Sequence, residues 1–418
     1  MTLAGPRRGA QGAAAFGPAP PCVEVSRDSA GETAALSCVR SLYLHIPFCE
    51  RRCDYCDFVS LAGRDRETAY AARLSVEIRD LAARFPGVEL DTVFVGGGTP
   101  GFIAPELLDR ILREVRDGFT LAAGCEITLE ANPSSTTELR AESWLRSGFN
   151  RVSLGIQSLE PAILRFLGRV HDSARAVAAV GEVRRAGFSR VSCDLMYAVP
   201  GLEDANWRGT LERVVALGPG HVSAYELTVE AGTPLHASVR RGEKPAVDPE
   251  AALRQHRIAV SVLDAAGLHQ YEVSNYAQAG EECRHNLVYW RRGHYLGAGL
   301  GAHGHLPAGI GTLVDIPVPP GAIGLRYWHG RSLPAYVEGS RGGALPIEAS
   351  EAVTAADAEA ERILLGLRLA EGIAVSRPLG ERADALVAAD LLWRRDGRLG
   401  TTAHGQEVLD EVIRQLVA

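Results

Sequence analysis

No run of this 418-residue chain is apolar for long enough to cross a bilayer as a helix, and no secretory hydrophobic region opens it. It also lacks a second closely spaced cysteine pair, a regular cysteine framework, an internal repeat beyond a strand–helix rhythm, and any excess of positive charge. Each absence narrows the field. Cys22, Cys38, Cys125, Cys193 and Cys283 are scattered without spacing, the pattern of a reducing compartment. The cytoplasm is therefore the expected location. A net charge of −7 argues against broad nucleic-acid binding. Hydrophobic residues at 46% and charged residues at 23% are ordinary for a globular protein, and the length suits one large domain and a smaller one. Residues 1–37 are rich in Ala, Gly and Pro without apolar period, and are expected to form a disordered tail.

What the chain does have is three cysteines in one short run, Cys49, Cys53 and Cys56, spaced C-x3-C-x2-C. Three thiolates on one loop can hold three corners of a cubane [4Fe–4S] cluster and leave the fourth iron without a protein ligand. A structural zinc site on the same thiolates plus His45 is the alternative. Such sites usually come as two paired knuckles, and no second C-x2-C follows here.

From residue 41 a strand–helix rhythm begins. Ser41–Ile46 reads as a short apolar strand. Tyr70, Leu74, Ile78, Leu81 and Phe85 recur at helical spacing until Pro86-Gly87. Further strands are expected at Asp91–Val95, Glu126–Glu130, Arg151–Ile156, Arg190–Leu195 and His221–Glu226, with helical segments between them. Six strands alternating with helices require parallel pairing with helices outside. The expected fold is α/β: a partial, open (β/α)6 barrel over residues 38–280, whose chemistry gathers at the carboxyl ends of the strands. The cysteine loop follows the first strand, at that end. A Gly-, Pro- and aromatic-rich connecting region is expected over 281–345, and a small C-terminal α/β domain of winged-helix type over 346–418.

The strand ends carry polar groups. Gly96-Gly97-Gly98 exposes backbone without side-chain bulk, Glu130 closes the third strand, Gln157 the fourth and Asp194 the fifth. Singly, each fits a structural role such as a turn or a helix-end acid. Together, at successive strand ends, they suit a polar cofactor.

The cysteine loop, with Tyr55 just before its third cysteine, resembles the mark of the radical SAM superfamily. From about residue 41 onward the chain is similar to the branch that contains oxygen-independent coproporphyrinogen oxidases. The resemblance implies a cluster on Cys49, Cys53 and Cys56, S-adenosylmethionine on the open iron, and reductive release of a 5′-deoxyadenosyl radical. Carried over by motif, Tyr43 and Tyr55 flank the cluster, and Gly98 and Thr99 contact the methionine part. Glu130, Gln157, Arg169 and Asp194 match further cofactor-contacting positions.

Two subgroups share these features. Coproporphyrinogen dehydrogenases carry a fourth cysteine two places after the third, where this chain reads Cys56-Asp57-Phe58. The chain instead resembles the HemW-type haem-chaperone subgroup, whose second mark is the H-N-x-x-Y-W run His285-Asn286-Leu287-Val288-Tyr289-Trp290. That resemblance implies haem contacts at His285, Asn286, Tyr289 and Trp290. It also implies delivery of haem to haem-requiring proteins, membrane respiratory enzymes among the candidates, and no nucleic-acid partner. On residue type alone, His285 and Asn286 better suit a turn or cap, and Tyr289 and Trp290 a core. Three positions depart from the family pattern: Gly101 replaces a hydroxyl residue, Ala198 a glycine and Glu203 a glutamine. Radical decarboxylation of coproporphyrinogen III is the competing activity.

Overall fold

A computed structural model of the chain describes residues 34–339 and 344–417. Most of the expected tail lies outside the described residues. Residues 34–37 are helical, and Ala35 is fully buried in the main core.

The six expected strands are all present: β1 Val39–Ile46, β2 Glu89–Gly97, β3 Thr120–Ala131, β4 Arg151–Gln157, β5 Arg190–Tyr197 and β6 His221–Glu226. They pair in parallel and in chain order. The helices returning between them include α1 Glu67–Arg84, α2 Pro105–Gly118, α3 Glu138–Ser147, α4 Ser173–Arg185 and α5 Asp204–Ala216. On α1, Tyr70, Leu74, Ile78 and Leu81 share one face and are buried, and Phe85 packs at its C-cap. Burying these five side chains contributes roughly 1.5–3 kcal/mol each, enough to fix the helix on the sheet. Caps set the boundaries of the others. Thr137 accepts from the Arg140 N–H at the start of α3, and Gly148, at φ 99°, ends it in the left-handed region. These units form the partial, open (β/α)6 barrel.

The sheet runs further than the six-strand expectation. The hairpin of β7 His269–Glu272 and β8 Asn275–Ala277 adds antiparallel beside β6. On the other side of β1 lies a seventh parallel strand, β9 His294–Ala298, with Tyr43 opposite Gly297. Three antiparallel strands follow it: β10 His303–Pro307, β11 Ala322–His329 and β12 Ile347–Thr354. The result is a sheet of twelve strands. The Gly- and Pro-rich span 281–345 thus holds strands of the main sheet.

Past β12, the helices Ala355–Gly366, Arg377–Ala388 and Leu409–Val417 surround a three-stranded antiparallel sheet. They share a core of their own, including Ile363, Leu379, Leu386, Leu399 and Val412. One of the scattered cysteines, Cys38, is disulfide-bonded, so that set is not uniformly thiol. Among the described residues, no helix is long and apolar enough to cross a membrane.

Candidate cofactor site at the strand ends

The cysteine loop leaves the carboxyl end of β1, and its base is fixed by backbone. Phe48–Cys49 pairs with Leu61–Ala62. Gly98 N–H donates to Ile46 O and Thr99 N–H to Phe48 O, each at 2.8 Å. Side chains would block this approach. A Cβ at Gly98 would lie 2.8 Å from the Pro47 carbonyl carbon, and one at Gly97, which sits at φ +113°, 2.5 Å from the His45 ring. Cys49 is buried, Cys53 and Cys56 are half-buried, and all three are free thiols. Burial pushes the Cys49 thiol up to about 11 and raises that of Cys56, so a bound metal is what would make them thiolates near neutral pH.

A chain of hydrogen bonds links two of the sulfurs. Thr99 Oγ1 donates to Cys49 Sγ at 3.5 Å and accepts from Asn132 Nδ2 at 3.0 Å. Asn132 Oδ1 accepts from Arg169 Nη2 at 2.6 Å, and Arg169 Nη1 donates to Cys53 Sγ at 3.3 Å. Arg169 also donates to Gly155 O at 2.8 Å and touches Tyr55. Burial alone would lower the guanidinium pKa, but Tyr55 and Cys53 beside it hold it above its ordinary value. Its Nε is a buried donor without a partner, which suits a carboxylate acceptor such as that of a methionine moiety. Among the described residues, no three His, Cys, Asp or Glu side chains converge tightly enough to hold a single metal ion. A cubane does not require that convergence, since each cysteine binds a different iron. His45, the fourth donor of the zinc alternative, is engaged elsewhere. Its Nε2 lies 2.7 Å from Val59 O and its Nδ1 3.0 Å from the Tyr43 hydroxyl. The Nε2–H therefore donates to the carbonyl, and Tyr43 donates to Nδ1.

The acids lie across the barrel mouth. Glu130 accepts from the Gly97 N–H at 3.0 Å. Burial, reinforced by the charge of Asp194, pushes its carboxyl up to about 7. A carboxylate so placed gains from an ammonium or a hydroxyl donor. Asp194 is raised by burial, although three hydroxyls oppose the shift. Ser153 Oγ lies 2.9 Å from both its oxygens, Ser223 Oγ 2.8 Å and Ser192 Oγ 3.3 Å from Oδ1. Gln157 ends β4 at φ +64°, a left-handed conformation that is uncommon for a residue with a Cβ and frequent at functional sites. The structure thus brings Tyr55, Gly98, Thr99, Glu130, Gln157 and Arg169 to the carboxyl end of the sheet, whereas Tyr43 and Asp194 lie inside strands that run on to Ile46 and Tyr197, so Asp194 does not close the fifth strand.

Sequence reasoning missed Asn132 and the three serines. Asn132 follows Glu130 by two places and precedes Pro133. The serines had a signal: β4, β5 and β6 open on Arg151-Val152-Ser153, Arg190-Val191-Ser192 and His221-Val222-Ser223, the same pattern three times.

The H-N-x-x-Y-W run forms the short helix α7 Arg284–Trp290. His285 is fully buried beneath the mouth, stacked on Phe94 with centroids 5.2 Å apart, and burial pushes its imidazole down to about 3. Asn286, Tyr289 and Trp290 line a cavity of about 420 Å³ with Tyr225, Glu272 and Leu365. Tyr225 is 40% exposed, and burial with the charges of Asp194, Glu272 and Glu130 raises its hydroxyl above the ordinary range. Burial pushes Glu272, on the same wall, up to about 7. The motif is therefore split, its histidine inside the barrel and its other three side chains on the cavity.

The structure bears on two of the three positions expected to differ from the family pattern, explaining the glycine at 101 but not the alanine at 198. A Cβ at Gly101 would lie 2.6 Å from Ala131 Cβ and 3.2 Å from the Trp144 ring, so packing favours glycine. Ala198 sits at φ +58°, the conformation that favours the glycine it replaces. Nothing in the structure explains Glu203, which is exposed before α5.

A family model described as the radical SAM superfamily matches residues 43–214. The chain is 39% identical to the haem chaperone HemW of Mycobacterium tuberculosis (strain ATCC 25618 / H37Rv), covering 90% of this chain and 94% of that one. It is also 39% identical to HemW of Escherichia coli (strain K12), over 63% of this chain and 69% of that one. Among solved structures, the coproporphyrinogen III oxidase HemN of Escherichia coli, described as a radical SAM enzyme, superposes with a TM-score of 0.75 at 22% identity. That match covers 93% of this chain and 94% of HemN, and it shows a shared fold.

Proposed function

Because the chain belongs to the HemW family of radical SAM proteins, we propose that it is a cytoplasmic haem chaperone. It holds a [4Fe–4S] cluster on Cys49, Cys53 and Cys56, binds S-adenosylmethionine beside it, and carries haem at the His285–Trp290 run to haem-requiring proteins. The observation that carries this reading is the hydrogen-bonded path Cys49–Thr99–Asn132–Arg169–Cys53 at the strand ends, in a chain that also has a cavity walled by Tyr225, Tyr289 and Trp290. When bound, the cluster supplies a single electron at low potential. The chain's own residues do the rest. Thr99 and Arg169 donate to the cysteine sulfurs and offset their charge. Glu130 accepts from the cofactor's cationic or hydroxyl groups, and Asp194 is held in place by its serines. Tyr225, Tyr289 and Trp290 offer flat apolar surface to a tetrapyrrole. At the position where the dehydrogenase loop has its further cysteine stands Phe58, 69% exposed.

Anaerobic reconstitution tests the reading. Iron and sulfide should be taken up, S-adenosylmethionine should bind, and a haem titration should give a shifted Soret band. Coproporphyrinogen III should not be decarboxylated. Formation of protoporphyrinogen in step with S-adenosylmethionine consumption would assign the chain to the dehydrogenases instead.

A further inference from the structure

We infer that haem, bound as proposed above, meets Tyr289 and not His285, and that His285 is a positioning residue acting through the Tyr289 hydroxyl. This rests on the haem-chaperone reading and concerns which side of the motif the ligand touches. His285 and Tyr289 are four residues apart on α7, hence neighbours on one face, and the sheet receives the first while the cavity receives the second.

The bonding of His285 leaves no free ring nitrogen. Its Nδ1 lies 2.7 Å from Thr92 Oγ1, and the Thr92 hydroxyl donates to Ser41 Oγ at 2.9 Å. A hydroxyl has one proton, so Thr92 accepts from the His285 Nδ1–H, which assigns the tautomer and leaves Nε2 an acceptor. Nε2 lies 2.8 Å from the Tyr289 hydroxyl, which therefore donates to it. The His285 main-chain N–H donates to Glu126 Oε1 at 3.1 Å. For the imidazole to reach an iron in the cavity it would have to break both ring bonds and leave a fully buried position stacked on Phe94. Breaking them would orphan polar groups in the interior, each at substantial cost.

Tyr289 is the opposite case. It lines the cavity with Trp290 and Asn286, and its ring meets Tyr295 edge-on at 4.8 Å and 82°. Its hydroxyl is fixed in one orientation by His285 yet keeps oxygen lone pairs for a further contact. A cavity of about 420 Å³ is of the size that holds small-molecule ligands and cofactors. Tyr289 and Trp290 suit the flat face of a porphyrin.

Three variants of the full chain decide this: His285→Gln, His285→Ala and Tyr289→Phe. Each is titrated with ferric haem and followed by Soret position and electron paramagnetic resonance. Glutamine can accept from Tyr289 and donate to Thr92, so His285→Gln should keep the wild-type spectrum and affinity. Tyr289→Phe should shift the spectrum and weaken binding about tenfold, the loss expected for one polar contact. His285→Ala should resemble Tyr289→Phe, and the rescue by glutamine identifies a positioning role even where the alanine variant folds poorly. A His285→Gln spectrum altered as in His285→Ala, with Tyr289→Phe unchanged from wild type, would overturn the inference and make the imidazole the ligand. Wild-type protein that binds no haem would remove the haem-chaperone reading itself and the inference with it, a result distinct from a change of ligand.

Discussion

Glu77 and Glu130 are both enclosed by this protein, and their surroundings differ in kind. Glu77, on α1, lies in the seam where the helix meets the strands beyond β1. His329 Nε2 is 2.8 Å from its Oε1, the Tyr336 hydroxyl donates to Oε2, and the Gly299 N–H donates at 3.3 Å. Burial alone would raise its pKa, but His329 and these donors hold it below its ordinary value. Glu130, at the barrel mouth, has one N–H donor and a neighbouring carboxylate, and its pKa is pushed up to about 7. A buried charge with a complete set of partners secures the packing around it. One left short of partners stores unfavourable energy that a ligand can relieve. The seam is finished within the chain, whereas the mouth, on the proposed function, is finished by what binds there.

The sharpest way to break this contrast is to remove a cluster ligand. Replacing Cys49, Cys53 or Cys56 by Ala should abolish the broad visible absorbance and most of the bound iron, about four atoms per chain in the intact protein. The fold should survive, because the barrel has its own large core. Iron analysis with a thermal melt checks both halves. A variant that kept its iron would dismiss the cluster assignment, and one that unfolded would make the mouth structural like the seam.

The seam should respond in reverse. Glu77→Ala leaves the protonated His329 buried without its partner and should cost about 3–5 kcal/mol of stability, with S-adenosylmethionine affinity unchanged in protein that still folds. The pH dependence follows from the two shifts. His329 is raised above 6.5, so its contribution is full below pH 6.5 and is lost as pH rises through its folded value. Glu77 is lowered below 4.5, so its contribution is full above pH 4.5 and is lost as pH falls through its folded value. The stability gap between wild type and variant should be widest between pH 4.5 and 6.5. Denaturant titrations of both proteins across pH 4–9 would show it, and a flat difference would argue against an ion pair.

At the mouth, Glu130→Gln should weaken S-adenosylmethionine binding by about 1.5–3 kcal/mol, roughly ten- to a hundredfold. With its carboxyl near 7, wild-type affinity should rise from pH 6 to pH 8 as the group ionises. The variant should lose that rise. Calorimetry on cluster-loaded protein distinguishes this from a uniform loss at all pH values, which would point to packing.

What the sequence made legible divides along the same line. The βα rhythm was readable because each unit carries its own apolar period, as Tyr70 to Phe85 does for α1. The cysteine loop and the acids at strand ends were readable because they are local and placed by that rhythm. The seam was not. Glu77 and Tyr336 are 259 positions apart, and nothing in the residues around either names the other. The seventh parallel strand was hidden for a related reason. In His294–Ala298 the pairing to β1 rests on Leu296 and Ala298 among glycine and half-buried residues, so the span reads as a connection. His285 shows a third limit, since the family resemblance implied a haem contact while its neighbours Thr92 and Phe94, far away in sequence, decide which way it faces.

Ala198 offers the finest test, because there a residue with a Cβ stands in a conformation that favours glycine. The residue ends the β5 turn at φ +58°, and its N–H donates to Gln255 Oε1 at 2.7 Å. Gln255 is buried and its Nε2 donates to Leu202 O at 2.8 Å, so the turn is anchored from α6, the helix Pro249–Ala265. A left-handed conformation costs a residue with a Cβ roughly 1–2 kcal/mol. Glycine avoids that cost but loses about 0.5–1 kcal/mol more in backbone entropy on folding. The difference favours glycine, so Ala198→Gly should raise the unfolding free energy by about 0.5–1 kcal/mol. A higher urea midpoint at unchanged slope would record it, with cofactor affinity unaltered because the Gln255 anchor binds backbone. A lower midpoint would mean that the alanine methyl packs well enough to offset its strain, and would return Ala198 to the finished part of the molecule, alongside Glu77.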